Sequence, residues 1–213
     1  MVVIIDYDAG NIKSVEKAIQ HLGSEVVLSN DKNVIKSADR VILPGVGAFG
    51  HAMKNLKKYD LVETIRDYAK SGNPFLGICL GMQILFDSSE EDMGVEGLSI
   101  VKGSIKKIPA KDSFKIPHMG WNNLNITNKD SRILNGIDAE SYVYFVHSFY
   151  ADADNKAEIA ATCDYTTSMD VVVEKGNVFG CQFHPEKSSN TGLHILKNFL
   201  EIKWDKYVYK KDN

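Results

Sequence analysis

The segment Gly77-Ile78-Cys79-Leu80-Gly81-Met82-Gln83 and, much further along, His184-Pro185-Glu186 supply a thiol, an imidazole and a carboxylate. These are the parts of a nucleophilic triad: a thiolate that attacks an acyl centre, a base that moves its proton, and an acid that orients the base. The apolar residues 74–78 read as a buried strand and residues 80–86 as the start of a helix. Cys79 then falls on a sharp strand-to-helix turn, the geometry of a nucleophile elbow with sulfur in place of a serine oxygen. Gly77 and Gly81 on either side let the backbone turn tightly and a substrate approach. A helix N-terminus favours thiolate over thiol, and a nearby imidazole adds to this. The competing reading, a small buried cysteine in a core, explains Cys79 alone. It does not explain the elbow glycines together with His184 and Glu186.

The second run places His184 at the end of a strand over residues 177–183. Pro185 stops that strand, and Glu186 can fold back to hold the imidazole in one tautomer. A third element, Val41-Ile42-Leu43-Pro44-Gly45-Val46-Gly47-Ala48-Phe49, runs from strand through a Pro-Gly-x-Gly turn into a helix. Glycine-rich backbone at such a turn can present N–H groups to a developing oxyanion.

These segments resemble the triad-type (class I) glutamine amidotransferases. Within them the set is similar to the glutaminase subunits of imidazole glycerol phosphate synthases. The in-order segments are Asp6-Tyr7-Asp8-Ala9-Gly10-Asn11, Pro44-Gly45-Val46-Gly47-Ala48-Phe49, the cysteine elbow, Pro117-His118-Met119-Gly120-Trp121-Asn122, Tyr144-Phe145-Val146-His147-Ser148 and His184-Pro185-Glu186-Lys187-Ser188-Ser189. Asp8 departs from the glycine common at that place, away from the triad. The resemblance implies a catalytic triad of Cys79, His184 and Glu186, and an oxyanion hole from Val46, Gly47 and Leu80. It implies a glutamine pocket of Gly47, Gln83, Glu91, His147, Ser148 and Phe149. It further implies a partner face at Asn11, His118, Trp121 and Lys187, and no cofactor.

The implied reaction hydrolyses L-glutamine through a Cys79 thioester. The ammonia passes to a (β/α)8-barrel cyclase in a one-to-one heterodimer, which forms imidazole glycerol phosphate and an aminoimidazole carboxamide ribonucleotide in histidine biosynthesis. Partner and ligand state are expected to reach the site through Lys187 and a reorientation of the Val46-Gly47 peptide. Alternatives are a paralogue feeding a sugar-aminating synthase, a non-catalytic binding subunit, and another cysteine hydrolase.

The elements that position these residues fit an α/β fold. The expectation is a single-domain, flavodoxin-like amidotransferase fold with a mostly parallel central sheet, flanking helices and antiparallel strands added in the C-terminal half. Strands are expected over 2–6, 25–28 and 40–43, and helices over 11–22 and 59–70. Such βαβ alternation places functional loops at the C-terminal ends of strands. Residues 88–97 read as an acidic surface loop. Strands then dominate from 98 to 181, including 142–150 and 170–174, with a hairpin turn at Glu174-Lys175-Gly176-Asn177. A last helix over 189–204 closes a domain of residues 1–204, before a charged tail over 205–213.

The chain has 213 residues, a net charge of −3 and mixed charges throughout. No basic stripe points to nucleic acid. No apolar run approaches the roughly 20 residues needed to span a bilayer. The first residues read as a strand and not a signal peptide, so a cytoplasmic protein is expected. Cys163 and Cys181 read as core residues. No C-x-x-C pair or metal-ligand spacing occurs. His21, His51 and His194 on helices, and Trp204, Tyr207 and Tyr209 near the end, are assigned no chemistry.

Overall fold

The computed structural model describes residues 1–8 and 10–203. The expected tail, Trp204, Tyr207 and Tyr209, and Ala9 lie outside the described residues.

Four apolar strands form the parallel heart of the molecule: β1 (Val2–Ile5), β3 (Arg40–Gly45), β4 (Phe75–Cys79) and β13 (Val178–Cys181). β2 (Val26–Ser29) extends them at one edge, giving the order β2-β1-β3-β4-β13. β13 comes almost a hundred residues after β4 yet pairs directly with it, Gly77 opposite Gly180. Beyond β13 the sheet turns antiparallel through β12 (Ser168–Lys175), β10 (Phe149–Ala153) and β6 (Gly103–Lys107), and ends at β5 (Ser88–Ser89). β11 (Ile159–Asp164) pairs with β12 and carries the short β8 (Asn125–Ile126). β7 (His118–Asn123) and β9 (Tyr142–His147) form a separate two-stranded sheet.

Alternation along each strand sends side chains to opposite faces. Val3 and Ile5 join a core with α2 (Lys32–Lys36), α3 (Phe49–Lys58) and α4 (Val62–Lys70). Val2 and Ile4 join a second core with α1 (Ile12–His21) and α6 (Ser189–Glu201). The result is the helix–sheet–helix layering expected of βαβ alternation.

Several boundaries differ from expectation, and the last helix, expected over 189–204, ends at Glu201. The elbow helix α5 is only Leu80–Gln83. Past it Leu85 N–H and Phe86 N–H bond to carbonyls three residues back, and the carbonyls of Ile84, Leu85 and Phe86 go to N–H groups of residues 98–101, so the helix does not continue. The strand expected over 142–150 breaks at Ser148, because β9 pairs with β7 whereas β10 pairs with β6 and β12. The helix expected over 59–70 begins at Val62, after Asp60 at φ 53°. The short helix α2 was not expected, although Asp31 carries its signal by accepting from Asn33 N–H and Val34 N–H. The hairpin turn forms as expected, with Lys175 opposite Val178 and Gly176 at φ 54°.

Candidate active site

The C-terminal ends of β1, β3, β4 and β13 converge at one edge of the sheet, where open α/β sheets bind ligands. β4 delivers Cys79, β3 delivers the Gly45-Val46-Gly47 turn, and β13 leads through Gln182 and Phe183 to His184. A cavity of about 310 Å³ opens there. Val46, Gly47, Cys79, Leu80, Gln83, Glu91, His147, Ser148, Phe149 and His184 all line it.

Cys79 holds φ 55° and ψ −113°, a conformation that L-residues rarely adopt. The elbow glycines allow it. A Cβ on Gly81 would lie 1.8 Å from the Leu43 carbonyl oxygen, and one on Gly77 would lie 2.6 Å from the Gly81 oxygen. Tyr7, fully buried, donates to the Pro44 carbonyl at 2.9 Å and fastens the turn that follows β3.

His184 is 2% exposed, and its Nδ1 lies 2.8 Å from Glu186 Oε1. The carboxylate can only accept, so Nδ1 carries the proton and donates. Asn11, at φ 58° ahead of α1, donates its side-chain amide to the same oxygen at 3.0 Å. Nε2 of His184 is buried without a hydrogen-bond partner among the described residues. Burial by itself would lower the His184 pKa. The Cys79 sulfur and the Glu186 carboxylate outweigh it and raise the value to about 9. The site thus favours an imidazolium beside the sulfur.

Three residues of the expected glutamine pocket have internal duties. His147 Nδ1 donates to the Phe149 carbonyl at 2.8 Å, and Gln83 Nε2 donates to the same oxygen at 3.0 Å. Glu91 accepts from Phe49 N–H at 2.8 Å, at the start of α3, beside Asp92, which accepts from Gly50 N–H at 2.6 Å. This pair anchors the helix that leaves the Val46-Gly47 turn. Cys163 and Cys181 are buried and free, with burial pushing the Cys163 thiol up to about 12 and Cys181 higher still than its usual range. Neither is a nucleophile.

The expected partner-face residues divide. Trp121 is 51% exposed, beside exposed Met119 and Tyr142, and Lys187 is exposed. His118 differs from Trp121 and Lys187 in exposure. It is 3% exposed and turned inward, stacked between Phe145 and Tyr165. Asn11 is half-buried with its amide committed to Glu186.

Sequence reasoning missed Gln182. It is fully buried, accepts from Gln83 Nε2 at 2.8 Å and donates from Nε2 to Cys79 Sγ at 3.8 Å. Its signal was an amide near the end of an apolar run, Val178 to Phe183. Among the described residues no group of His, Cys, Asp and Glu could hold a metal ion.

An elbow cysteine and a His–Glu pair meeting at the carboxyl edge of a parallel sheet define a class of enzyme, and the family comparison agrees with it. Residues 3–202 match the family described as glutamine amidotransferase class-I, and the chain belongs to that family. A solved glutamine amidotransferase superposes with a TM-score of 0.72 at 18% identity, covering 93% of this chain and 99% of that one, which shows the shared fold. Within the class, the chain belongs with the imidazole glycerol phosphate synthase subunits HisH. It is 49% identical over 202 residues to that subunit of Bacillus cereus, covering 95% of each chain. It is 49% identical to that of Methanosarcina barkeri, covering 94% of this chain and 98% of the relative.

Proposed function

We propose that this chain is the glutaminase subunit of an imidazole glycerol phosphate synthase, and that Cys79, His184 and Glu186 are its catalytic triad. The observation that carries the reading is the meeting of a strained elbow cysteine and a carboxylate-held histidine in one cavity of about 310 Å³. Thiolate attacks the side-chain amide carbon of glutamine. Backbone N–H groups of Val46, Gly47 and Leu80 receive the oxyanion, and His184 protonates departing ammonia. Water, activated by the now neutral His184, then releases glutamate from the thioester. Glu186 keeps the imidazole in the required tautomer, and Asn11 holds Glu186. Gly47, Gln83, Glu91, His147, Ser148 and Phe149 shape the glutamine pocket, with Glu91 facing the substrate's ammonium.

The ammonia goes to a (β/α)8-barrel cyclase, bound one-to-one over the face bearing Trp121 and Lys187. The names of the relatives support this partner over a sugar-aminating synthase. Among the described residues no helix is long and apolar enough to cross a membrane, and a cytoplasmic biosynthetic role is part of the proposal. Residues 1–204 constitute the amidotransferase domain in this reading.

The test is ammonia release from glutamine by the purified chain, with and without the cyclase and its nucleotide. Activation by the cyclase and loss in Cys79→Ala are expected. Activity indifferent to the cyclase would reject the partner, and none under any condition would reject the enzyme.

A further inference from the structure

Gln182 touches the proposed nucleophile, and its orientation follows from a chain of hydrogen bonds anchored on a backbone carbonyl. The Phe149 oxygen can only accept, so the Gln83 atom 3.0 Å away is its NH2 group. That NH2 also lies 2.8 Å from Gln182, whose facing atom must therefore be Oε1. The Gln182 NH2 is left to point at Cys79 Sγ, 3.8 Å away. The same carbonyl fixes His147. Its Nδ1 donates to Phe149, so its Nε2 accepts from His118 Nδ1 at 3.0 Å. Burial favours the neutral form of both imidazoles, and Asn122 donates to the far nitrogen of His118 at 3.4 Å. No step in this chain leaves Gln182 free to flip.

We propose that Gln182 is a catalytic residue whose side-chain N–H stabilises the Cys79 sulfur as a thiolate, above all as the leaving group when the thioester is hydrolysed. The proposal rests on the glutaminase reading. In that step water adds its oxygen to the thioester carbonyl and gives a proton to His184. The tetrahedral intermediate collapses, the C–S bond breaks, and its electron pair returns to Sγ. Glutamate leaves as the acid and loses its proton to solvent. Negative charge grows on sulfur as the bond breaks, and the buried N–H donor is aimed at it before the reaction begins. Such preorganised donors act where charge develops. A hydrogen bond to a charged group is typically worth about 1.5–3 kcal/mol, or roughly 10- to 100-fold in rate.

Gln182→Glu separates the two halves of the side chain. One carboxylate oxygen still accepts from Gln83, and an acceptor oxygen replaces the N–H facing sulfur. In the complex with the cyclase, kcat should fall about 10- to 100-fold with KM little changed. Mass spectrometry of quenched turnover should show a larger fraction of chain carrying the glutamyl thioester. Near wild-type kcat in this variant would overturn the proposal. Gln182→Met provides an independent reading, because it fills the volume without a donor. Its Cys79 should react more slowly than wild type with iodoacetamide at neutral pH. An unchanged alkylation rate in a folded Gln182→Met chain would also overturn the proposal. Alkylation needs no glutamine, so it judges Gln182 even where wild type releases no ammonia, the result that would instead reject the glutaminase reading.

Discussion

At φ 55° and ψ −113°, Cys79 stores backbone strain of order 1–3 kcal/mol that a glycine would relieve. Cys79→Gly is therefore expected to be more stable than Cys79→Ala by about 1 kcal/mol, although both lack the thiol. Thermal denaturation of the two variants checks it, and the reverse order would mean the elbow is unstrained. Strain of this kind persists where the surroundings over-determine it. Here Gly77, Gly81 and the Tyr7–Pro44 hydrogen bond do so. The His184 pKa makes a second prediction. Its folded value of about 9 lies above the ordinary 6.5. The folded chain binds the extra proton between these values, so the stabilisation is complete below pH 6.5 and is lost as pH rises through 9. Glu186→Gln removes one of its two sources. The stability gap between wild type and this variant should narrow as pH rises from about 6.5 to 9. Denaturant titrations across that range would show it, and a gap that widens would contradict the assignment. Glutaminase turnover should fall by about 100-fold or more in the same variant, since the imidazole loses its orienting acid.

Among the elements, the one-turn helix α5 is the clearest case of tertiary structure overriding local pattern. The periodicity of residues 80–86 suits a longer helix, but the chain at 98–101 captures the carbonyls that such a helix would use. Gly97 permits that approach, because a Cβ there would meet the Phe86 oxygen at 2.0 Å. Gly81→Ala and Gly97→Ala should each destabilise the fold by about 2–3 kcal/mol, read as a lowered denaturant midpoint. A neutral result at Gly81 would mean that β3 and α5 can separate without cost. The small β7–β9 sheet carries a different vulnerability. His118 and His147 are held to about 4 and about 3 by burial. The unfolded chain therefore binds more protons below pH 6.5, and stability declines as pH falls from 6.5 toward 4. His118→Phe should flatten that decline if the buried imidazole is its source, and an unchanged acid profile would place the source elsewhere.

On the scale of the whole molecule, the sheet joins two halves of the chain at one register. β4 and β13 pair along their length, and this pairing puts His184 beside Cys79. The exposed face of the β7–β9 sheet carries an apolar patch of Met119, Trp121 and Tyr142. Exposed aromatics of this kind are frequent binding hot spots. Trp121→Ala should weaken cyclase binding by about 2 kcal/mol, roughly 30-fold in Kd, with little change in thermal stability. A fluorescence or calorimetric titration measures it, and unchanged affinity would move the interface elsewhere. Lys187→Ala should lower cyclase-coupled turnover or affinity, because the residue follows Glu186 directly and its charge is exposed. A variant unchanged in both would remove Lys187 from the interface.

The amino-acid order alone determined whatever depends on local residue type. Cys79 between its glycines, the Pro185 stop after His184, the alternation of apolar strands with amphipathic helices, and the two-residue hairpin at Gly176 are all written in short windows, because backbone sterics and hydrophobic periodicity act over a few residues. Only the tertiary structure decided what those residues face. The turn of β9 into β10 at Ser148, the inward aim of His118, the use of Asn11 to hold Glu186, and the placement of Gln182 against the sulfur depend on partners far away in sequence. A polar side chain in an apolar run announces that it must find a partner once buried. Which partner it finds is set by the register of the sheet and the packing around it, and no short window contains either.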